Sequence, residues 1–555
     1  MKSIIKRSLL SFMLLWITSA AFAQLAPTCY RLTLTDKNNS PYSINNPSEY
    51  LSERAIAKRV RFNIAITEQD LPVNPQYIQQ IQAVGADIHI LCSCKWFNTV
   101  TIYCPDSSEL QQISELPFVS DILAVANYDL NARGPKPSAV PEIGYEPIVA
   151  NHFRDSIVPY DYGYGIAQIA IHNGQLLHNE GFRGDSMLIA VIDGGWNGMD
   201  TGVFFRNLYD EGRLLGTRDL IPWRNYVYDG HHHGTIVTST MSGDMESTLV
   251  GTAPRASYFL IRSEEPNQEQ PIEEDFWAQA AVIADSIGAD VINSSLGYVQ
   301  FANFPQTVHT YDDLNGVTSI ASRAATTLGQ KGVVVCVSAG NEGVNEWHRI
   351  GCPADATDIL AVGAADIYGN IAPFSSRGPS ADGRVKPDVT SVGVNTICVF
   401  PGDQLGTANG TSLASPVLAG LCACLWQALP AASSTQIMQY VRESGSCYQN
   451  PNDSLGYGIP DFYAAYSQHV GIATQTMKNV EVFPNPTSDF VHIANGNLQI
   501  SSVEFYNISG QLLKNVASSN DFLLNINIQD LPNGALMGKV HFQDGTTGTF
   551  KLMKL

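Results

Sequence analysis

Charged residues are scarce in this sequence, and basic residues are the scarcer kind. Of 555 residues, 15% are charged, and 32 Lys+Arg stand against 52 Asp+Glu, which gives a formal net charge of -20. A nucleic-acid-binding protein needs a basic surface that displaces counterions from phosphates, so that class is disfavoured. Hydrophobic residues make up 44% of the chain. This composition is too apolar for a disordered protein and ample for a large core.

The sequence also lacks an uninterrupted apolar run of the ~20 residues that a membrane-spanning helix needs. The run from Leu9 to Ala21 is shorter, follows a basic start, and ends in the small-x-small cleavage pattern Ala21-Phe22-Ala23. We therefore predict a cleaved signal peptide over residues 1–23. A later apolar stretch, Leu413 to Leu429, is interrupted by Ser, Pro and Gly. It is predicted to be a buried helix, so no transmembrane segment is expected.

Two cysteine patterns are missing from the chain. No Cys-x-x-Cys pair occurs, so a structural zinc site of that kind has no support, and no cysteine follows Cys447. Ten cysteines in an exported chain raise the question of disulfides, whose pairing the sequence alone does not choose. Cys336 lies in a Val-rich stretch and Cys422 in a small-residue helix, and both are typical of buried free thiols.

The pattern of apolar residues changes along the chain and predicts three folded regions. Residues 24–130 alternate strand-like and helical stretches, which predicts a small α+β domain, and the Pro-rich segment 131–155 after it is predicted to be an exposed linker that is cut. Residues 156–472 alternate apolar strands with helices, which predicts a parallel sheet covered on both faces. Residues 478–555 contain short strands and turns and predict a β-sandwich.

Three segments of the middle region each place a reactive residue after a strand or at a helix start. They carry Asp193, His233 and Ser412. A serine hydroxyl becomes a nucleophile when an imidazole takes its proton, and a carboxylate then fixes and stabilises the imidazole. α/β-Hydrolases run in the order Ser, Asp, His and use Gly-x-Ser-x-Gly, so a lipase or esterase is disfavoured here. The side chain of Asn341 and the backbone N–H of Ser412 would donate to an oxyanion.

These segments resemble the motifs of the subtilisin-like serine proteases, the subtilases. The motifs are Val191-Ile192-Asp193-Gly194-Gly195, His233-Gly234-Thr235, Ser338-Ala339-Gly340-Asn341-Glu342-Gly343 and Gly410-Thr411-Ser412-Leu413-Ala414-Ser415-Pro416. The resemblance implies that Asp193 orients the imidazole, His233 is the base, Ser412 is the nucleophile and Asn341 polarises the carbonyl. It also implies an α/β fold with a subtilisin-like doubly wound parallel sheet, and an endopeptidase that works through an acyl-enzyme on peptide or protein substrates.

Further matches and two departures accompany this resemblance. The segment Asn293 to Gly297 resembles the strand that pairs with the substrate backbone, which assigns Ser295, Leu296 and Gly297 to substrate binding. Gly351 would lie at the floor of the primary specificity pocket. Family members often carry a second His where this chain has Ile236, and Ser, Thr or Ala where it has Gly194. Neither position transfers a proton, so the mechanism is expected to be unaffected.

The two flanking regions resemble parts of known precursors. The early region resembles subtilase propeptides, which implies a ferredoxin-like domain that acts as an intramolecular inhibitor and folding template. The last region resembles the sorting domains of the type IX secretion system of Bacteroidetes. The residues that carry this likeness are Val482-Phe483-Pro484-Asn485-Pro486 and Tyr506-Asn507-Ile508-Ser509-Gly510-Gln511. The secretion machinery is therefore an expected partner, and the mature protein is expected outside the cell or on its outer surface, reached via the periplasm.

Several alternatives remain open at this point. His231, His232 and His233 would form a metal cluster only poorly, because adjacent residues on an extended chain point in opposite directions, so no metal ligand is assigned. A metal hydrolase built on them is one rival, and a catalytically inactive binding or adhesion protein on the same fold is another. No organic cofactor is expected.

Two acidic segments also have more than one interpretation. Loop carboxylates of the kind that calcium prefers are present, but no Asp-x-Asp-x-Asp-Gly loop exists, so a solvated surface is favoured over structural calcium. These carboxylates are Asp312, Asp313 and Asp355. The run Ile272 to Asp275 is predicted to be a helix start favoured by the helix dipole. The alternative is that it borders the cleft and selects basic substrates.

Overall fold

The computed structural model describes residues 26–128, 146–147, 160–470 and 480–555, apart from short gaps at 223, 266–268, 302–303, 305–306, 495–497, 508–509 and 544–545. The predicted signal peptide, most of the predicted linker and the junction at 471–479 lie outside the described residues. By its internal contacts the chain divides into two compact units, Met1–Gln468 and His469–Leu555.

The N-terminal region of the first unit is an antiparallel sheet with three helices. The strands, in sheet order β2-β3-β1-β4, are β1 (Cys29–Leu34), β2 (His89–Cys94), β3 (Thr99–Tyr103) and β4 (Val119–Ala126), and the helices are α1 (Glu53–Arg61), α2 (Pro75–Gln82) and α3 (Ser107–Ser114). The side chains of Ser52, Asn74 and Asp106 each accept a first-turn backbone N–H and so fix where these helices begin.

A seven-stranded parallel sheet forms the centre of the same unit, in the order β14-β13-β12-β11-β6-β10-β7. Its strands are β6 (Leu188–Asp193), β7 (Leu214–Asp219), β10 (Ser257–Arg262), β11 (Val291–Ser294), β12 (Val334–Ser338), β13 (Leu360–Ala365) and β14 (Val389–Val392). The predicted parallel sheet is confirmed. Its carboxyl edge gathers the ends of β6, β11 and β12.

Helices cover both faces of this sheet. They are α4 (Ile166–Ala170), α5 (Gly174–Asn179), α6 (Arg206–Asp210), α7 (His233–Ser242), α8 (Ile272–Ile287), α9 (Ile320–Gln330), α10 (Thr411–Ala428), α11 (Ser434–Glu443) and α12 (Phe462–His469). Alternate strand side chains point to opposite faces. Accordingly Ile189 and Val191 of β6 join the core of α7 and α10, whereas Ala190 and Ile192 join the core of α8 and α9.

Helix α10 is long and apolar enough to cross a membrane by length and composition, but 89% of its most apolar window is buried inside the structure. It is therefore a core helix, as the interrupted apolar run predicts. A hairpin of β15 (Thr396–Phe400) and β16 (Gln404–Ala408) leads into it, and β5 (Glu146–Pro147) pairs with β16. A second small hairpin joins β8 (Asp244–Met245) to β9 (Leu249–Val250).

From Val480 onward the described residues form strands and turns. One sheet has the order β17-β18-β21 and the other the order β20-β19-β22-β23. The strands are β17 (Glu481–Phe483), β18 (Phe490–Ala494), β19 (Ile500–Tyr506), β20 (Leu512–Asp521), β21 (Leu523–Asn527), β22 (Gly534–Phe542) and β23 (Thr547–Lys554). Val491 and Ile526 of the first sheet share one apolar core with Phe505 and Val540 of the second.

Candidate active site

The sheet topology brings Asp193 and His233 together. Strand β6 ends at Asp193 on the carboxyl edge of the sheet, and helix α7 begins at His233. Nδ1 of His233 lies 2.8 Å from Oδ1 and 3.0 Å from Oδ2 of Asp193. The backbone N–H of Gly194 donates to the same Oδ1 at 2.7 Å. Since Asp193 is fully buried, these bonds hold its carboxylate facing the ring.

The protonation of His233 follows from this contact. Burial lowers the pKa of His233, but the charge of Asp193 and its hydrogen bond outweigh burial, so the pKa lies above its usual value. A carboxylate only accepts hydrogen bonds, so Nδ1 carries the proton and Nε2 of the neutral ring is left as an acceptor. The pair therefore presents a proton acceptor of enhanced basicity.

The two preceding histidines have different environments. Nδ1 of His231 accepts the backbone N–H of His233 at 3.0 Å, and burial lowers the pKa of His231 to about 4. Burial also lowers the pKa of His232, whose ring stacks on that of His231 with centroids 4.8 Å apart. Nδ1 of His233 is thus held by Asp193 and Nδ1 of His231 by the backbone, and these three histidines are not among the groups of converging metal-ligand atoms in the described residues.

Ser412 and Asn341 border a common space at the start of α10. Gly410 precedes this helix with φ +152°, and a Cβ built on it would lie 2.8 Å from Ser412 Oγ and 3.7 Å from Asn341 Nδ2. The backbone N–H and the hydroxyl of Thr411 both donate to Asn341 Oδ1, at 2.9 and 3.0 Å. This fixes the amide so that its Nδ2 donor faces the space beside the Ser412 hydroxyl.

Helix α7, which starts at His233, packs against α10, which starts beside Ser412. In the described part of the chain no hydrogen bond joins Ser412 Oγ to His233. In ligand-free active sites such contacts are often long and tighten when substrate binds. Ile236, where relatives often carry a second His, is fully buried against Leu413 and Cys398. It packs against the first turn of α10.

The predicted substrate-binding residues lie together at the edge of β11. Ser295 and Leu296 are each 8% exposed, Gly297 is exposed, and the next residue, Tyr298, exchanges backbone hydrogen bonds with Cys352 at 2.7 and 3.0 Å. A Cβ on Gly351 would meet Val299 Cγ2 at 3.1 Å and Tyr298 O at 3.3 Å. A side chain at position 351 would therefore crowd this segment.

The acidic start of α8 does not present free carboxylates. Asp275 accepts a two-pronged hydrogen bond from Arg31 at 2.5 and 2.9 Å, and Glu274 Oε1 is 2.5 Å from His309 Nε2. Glu273, Glu274 and Asp275 are all under 5% exposed. In the full-length chain these carboxylates are therefore paired and buried, and the partner of Asp275 is supplied by the N-terminal region.

Two of the three loop carboxylates considered for calcium, Asp313 and Asp355, have protein partners. Asp313 accepts from the backbone and hydroxyl of Thr310 at 2.8 and 2.7 Å. Asp355 accepts from Ser322 at 2.5 Å and from Gly316 at 2.7 Å. Each carboxylate thus closes its own turn or holds a helix start.

One group of side chains was missed by the sequence. Ligand-type atoms of Glu274, His309 and Cys352 all lie within 4.8 Å of one another. These residues belong to three separate segments, so no local spacing motif could indicate them. Local patterns such as Cys-x-x-Cys or adjacent histidines do not detect ligands so far apart in the chain.

The N-terminal α+β region lies against α8 through buried ion pairs. Nη2 of Arg59 lies 2.9 Å from both oxygens of Asp285 and 3.1 Å from Asp70, and Lys331 Nζ lies 2.8 Å from Asp70. Arg31 holds Asp275 nearby. Arg31 and Arg59 of the N-terminal region thus pair with acidic side chains of α8, and Asp70 of the N-terminal region pairs in the opposite sense with Lys331.

Comparison with known proteins agrees with this division of the chain. Residues 184–458 match the subtilase family, residues 29–139 match the peptidase S8 propeptide domain of Bacteroidota, and residues 481–554 match the secretion system C-terminal sorting domain. Subtilisin E of Bacillus subtilis (strain 168) is 29% identical over 335 residues, which cover 59% of this chain and 78% of that protein.

Two further similarities fall on the same region. Subtilisin DY of Bacillus licheniformis is 28% identical over 301 residues, covering 53% of this chain and 94% of that protein. Among solved structures, the prenylagaramide maturation protease PagA aligns with a TM-score of 0.43 at 21% identity, over 54% of this chain and 98% of that one.

Residues 184–458 are a subtilase-family domain, and the chain is a serine-type peptidase. It carries a Bacteroidota-type S8 propeptide before that domain and a secretion sorting domain after it. The sorting domain indicates type IX secretion to the cell surface or the extracellular space.

Proposed function

We propose that this chain is a secreted subtilisin-like endopeptidase that cleaves peptide bonds with an Asp193-His233-Ser412 triad. The observation that carries the proposal is the buried Asp193–His233 pair, 2.8 Å apart, on the same sheet edge as the Ser412 hydroxyl and the Asn341 amide. A proton acceptor, a nucleophile and an oxyanion donor are the parts that acyl transfer requires.

In the first step Ser412 Oγ attacks the substrate carbonyl while His233 Nε2 takes its proton. Asp193 holds Nδ1–H and stabilises the imidazolium that forms. The developing oxyanion receives hydrogen bonds from Asn341 Nδ2 and from the Ser412 backbone N–H, one of the N–H groups that a helix start leaves without a helical partner. His233 then protonates the leaving amine.

In the second step a water attacks the acyl-enzyme, with His233 again acting as base. The substrate backbone would pair with the segment Ser295 to Gly297, and its side chain would enter the space closed by Gly351. No organic cofactor takes part in this scheme. Any calcium ion would have a structural role. Among the described residues, no cluster of carboxylates identifies a site for it.

The direct test is Ser412→Ala in the purified mature enzyme. Peptide hydrolysis should fall by several orders of magnitude while the circular dichroism spectrum is unchanged, because only binding and the oxyanion donors remain. A phosphonylating reagent should label Ser412 in the unmodified enzyme. An inactive wild-type protein that leaves Ser412 unlabelled would favour the binding-protein alternative. Immediate, metal-reversible loss of activity in chelator, with no labelling of Ser412, would favour a metal hydrolase.

We also propose that the propeptide has a ferredoxin-like fold and occupies the cleft until it is cut away. The sheet order β2-β3-β1-β4 with helices between β1 and β2 and between β3 and β4 supports this fold. Cleavage is expected in the segment 131–155. N-terminal sequencing of the active enzyme should give a start between roughly residues 130 and 165, judged from linker exposure. A fully active product that starts at Gln24 would contradict the proposal.

The C-terminal region is proposed to be a β-sandwich that acts only as a secretion address. Its two sheets share a core of their own, and none of the proposed catalytic residues lies in it. A native host expressing a chain without residues 479–555 should accumulate active enzyme in the periplasm. If that chain instead reached the medium normally, the region would be a binding or adhesive module.

A further inference from the structure

A buried group of three metal-ligand side chains lies behind the specificity pocket, outside the triad. The sulfur of Cys352, a ring nitrogen of His309 and a carboxylate oxygen of Glu274 lie within 4.8 Å of one another. Cys352 is fully buried and Glu274 is 4% exposed. The side chains of His309 and Glu274 are already in contact, since His309 Nε2 lies 2.5 Å from Glu274 Oε1. Three different donor types thus converge on one small volume.

The donor chemistry of this group selects among metal ions. Thiolate, imidazole and carboxylate together are the ligands of zinc, whereas calcium and magnesium take oxygen ligands. Tetrahedral zinc, with bonds of about 2.0–2.3 Å, places its ligand atoms about 3.3–3.8 Å apart. Binding would therefore require the His309–Glu274 contact to open by about 1 Å and the ion to replace their hydrogen bond.

We propose that Glu274, His309 and Cys352 bind one Zn²⁺ ion as a structural site, with a water as the fourth ligand. The thiol and the carboxylic acid or imidazolium would release their protons on binding. This site is separate from the triad and from the histidine run at 231–233.

The position of the ligands defines what the ion would do. The backbone N–H and C=O of Cys352 both form hydrogen bonds with the backbone of Tyr298, the residue that follows Gly297. The backbone N–H of His309 donates to Val299 O at 3.0 Å. Glu274 lies on α8, next to the Asp275 that binds Arg31 of the propeptide. The ion would therefore connect three elements at one point: the proposed substrate segment, Ser295 to Gly297; the proposed pocket floor at Gly351; and helix α8.

The test is zinc content and binding in the full-length chain carrying Ser412→Ala, which prevents self-cleavage. After dialysis against dilute zinc, about one ion per chain is expected by elemental analysis, and Cys352→Ala should remove at least about nine tenths of it. Cys398→Ala is the matched control, because Cys398 is also fully buried but lies outside the group, and it should keep its zinc. Cobalt in place of zinc should give a thiolate-to-metal absorption band that Cys352→Ala abolishes.

A second variant covers the case in which Cys352→Ala does not fold. Glu274→Gln keeps a hydrogen-bonding partner for His309 but is a poorer ligand, so zinc affinity should fall at least about tenfold with the fold intact. Absence of zinc binding by the unsubstituted site would overturn the proposal. So would zinc that survives both variants but is lost in His232→Ala, because the ion would then lie on the histidine run.

The metal measurements do not depend on the proposed protease function. If that function also holds, removal of zinc should raise KM more than it lowers kcat, because the ion supports the substrate segment and contacts no reacting atom. Loss of all activity in Ser412→Ala with zinc content unchanged would keep the two proposals distinguishable.

Discussion

The hydroxyl of Ser295 donates to the backbone carbonyl of Ser412 at 2.8 Å. Pro416 stands four residues after Ser412 in α10 and has no N–H, so it removes the helical partner that this carbonyl would otherwise have. Ser295 replaces that partner. The Ser295 hydroxyl also accepts from Asn293 Nδ2 at 3.1 Å, and Asn293 Oδ1 accepts from Ser415 at 2.7 Å. The substrate segment and the nucleophile are thus connected directly.

Ser295→Ala should therefore lower kcat about tenfold, because an unsatisfied buried carbonyl costs about 1–3 kcal/mol and loosens the first turn that carries the nucleophile. Steady-state kinetics on one peptide measures this. Ser294→Ala is the control: it also loses a buried hydrogen bond, to Trp277 Nε1 at 2.8 Å, but one that does not reach Ser412. Equal loss of kcat in both variants would show a general stability effect.

Asp193→Asn tests the pH dependence. His233 acts as a base only when neutral, so activity rises as pH rises through its pKa, which Asp193 holds above the usual value against the opposing effect of burial. Without that charge the acid limb of the kcat/KM profile should move to lower pH. In addition, kcat should fall about 10⁴-fold, because the ring is no longer held in the tautomer that leaves Nε2 as the proton acceptor. Asp229→Asn is the control, because Asp229 faces Arg262 at 2.8 Å. An unmoved acid limb in Asp193→Asn would contradict the assignment.

The same pKa shift makes stability depend on pH in the opposite direction to activity: its contribution to stability falls as pH rises. A raised folded-state pKa means that protonated His233 stabilises the fold fully below the unfolded pKa, and that this contribution is lost as pH rises through the folded pKa. In Asp193→Asn the effect of burial, which lowers the pKa of His233, is no longer outweighed, so the pH dependence of thermal unfolding near neutrality should change sign relative to the unsubstituted enzyme.

Thr411→Val tests the positioning of the oxyanion donor. The variant loses the hydroxyl that donates to Asn341 Oδ1 at 3.0 Å and accepts from the Gly340 N–H at 3.2 Å. The amide should become less well oriented, so kcat should fall about tenfold, less than the roughly 10²–10³-fold expected for removing the donor itself in Asn341→Ala. KM should be little changed. Thr411→Ser keeps the hydroxyl and should retain near-normal kcat; an equal loss in both variants would exclude this role.

Gly410→Ala tests the space between nucleophile and donor. The new Cβ would lie 2.8 Å from Ser412 Oγ, at a φ of +152° that L residues rarely adopt. We expect at least about a 10²-fold loss of kcat, since small misplacements of reacting groups cost that much. Gly402→Ala is the matched control, because Gly402 also has a positive φ, of +76°, but no atom within 4 Å of its added Cβ. Its activity should be close to normal.

Arg59→Met tests the attachment of the propeptide. The variant removes the Arg59 Nη2 that lies 2.9 Å from both oxygens of buried Asp285 and leaves the more distant Lys95 Nζ, 4.0 Å away. Breaking a buried pair from one side costs about 3–5 kcal/mol. After processing, the cleaved propeptide should therefore separate from the enzyme on size-exclusion chromatography under conditions where the normal one remains bound. Adding Asp285→Leu should restore part of the attachment, because an apolar pair replaces the stranded carboxylate. Continued attachment in Arg59→Met would show that the ion pair is dispensable.

The sequence predicts the parts of this fold that depend on local patterns. The apolar strand ending at Asp193 and the helix starting beside Ser412 are visible in the motifs, and the parallel sheet follows from alternating strands and helices. The exact start of a helix is less visible: α1 begins at Glu53 because the Ser52 side chain accepts the Ala55 N–H at 3.1 Å and sets the start. Helix propensity alone does not specify which serine forms the N-cap of the helix.

Contacts between distant segments are the part that the sequence does not contain. Arg59 with Asp285, Ser295 with the Ser412 carbonyl, and Cys352 with Glu274 each join residues far apart in the chain. Such pairs carry no spacing signal, since they are set by tertiary packing. The acidic start of α8 shows the difference: the sequence predicts a helix start there, or a border of the cleft, but not that Arg31 and His309 are partners of its carboxylates.

All ten cysteines lie in the described part of the chain, where they are free thiols, and nine of them are buried. For a protein secreted out of the cell, this makes the order of events during folding decisive. A chain that reaches its native packing first hides its sulfur atoms from oxidants, whereas a chain that is delayed exposes them to random cross-linking. Recovery of activity on refolding should therefore depend on reductant while the chain is unfolded, and become indifferent to oxidant once folding is complete. Packing in the native fold is therefore what shields these nine buried thiols from oxidation.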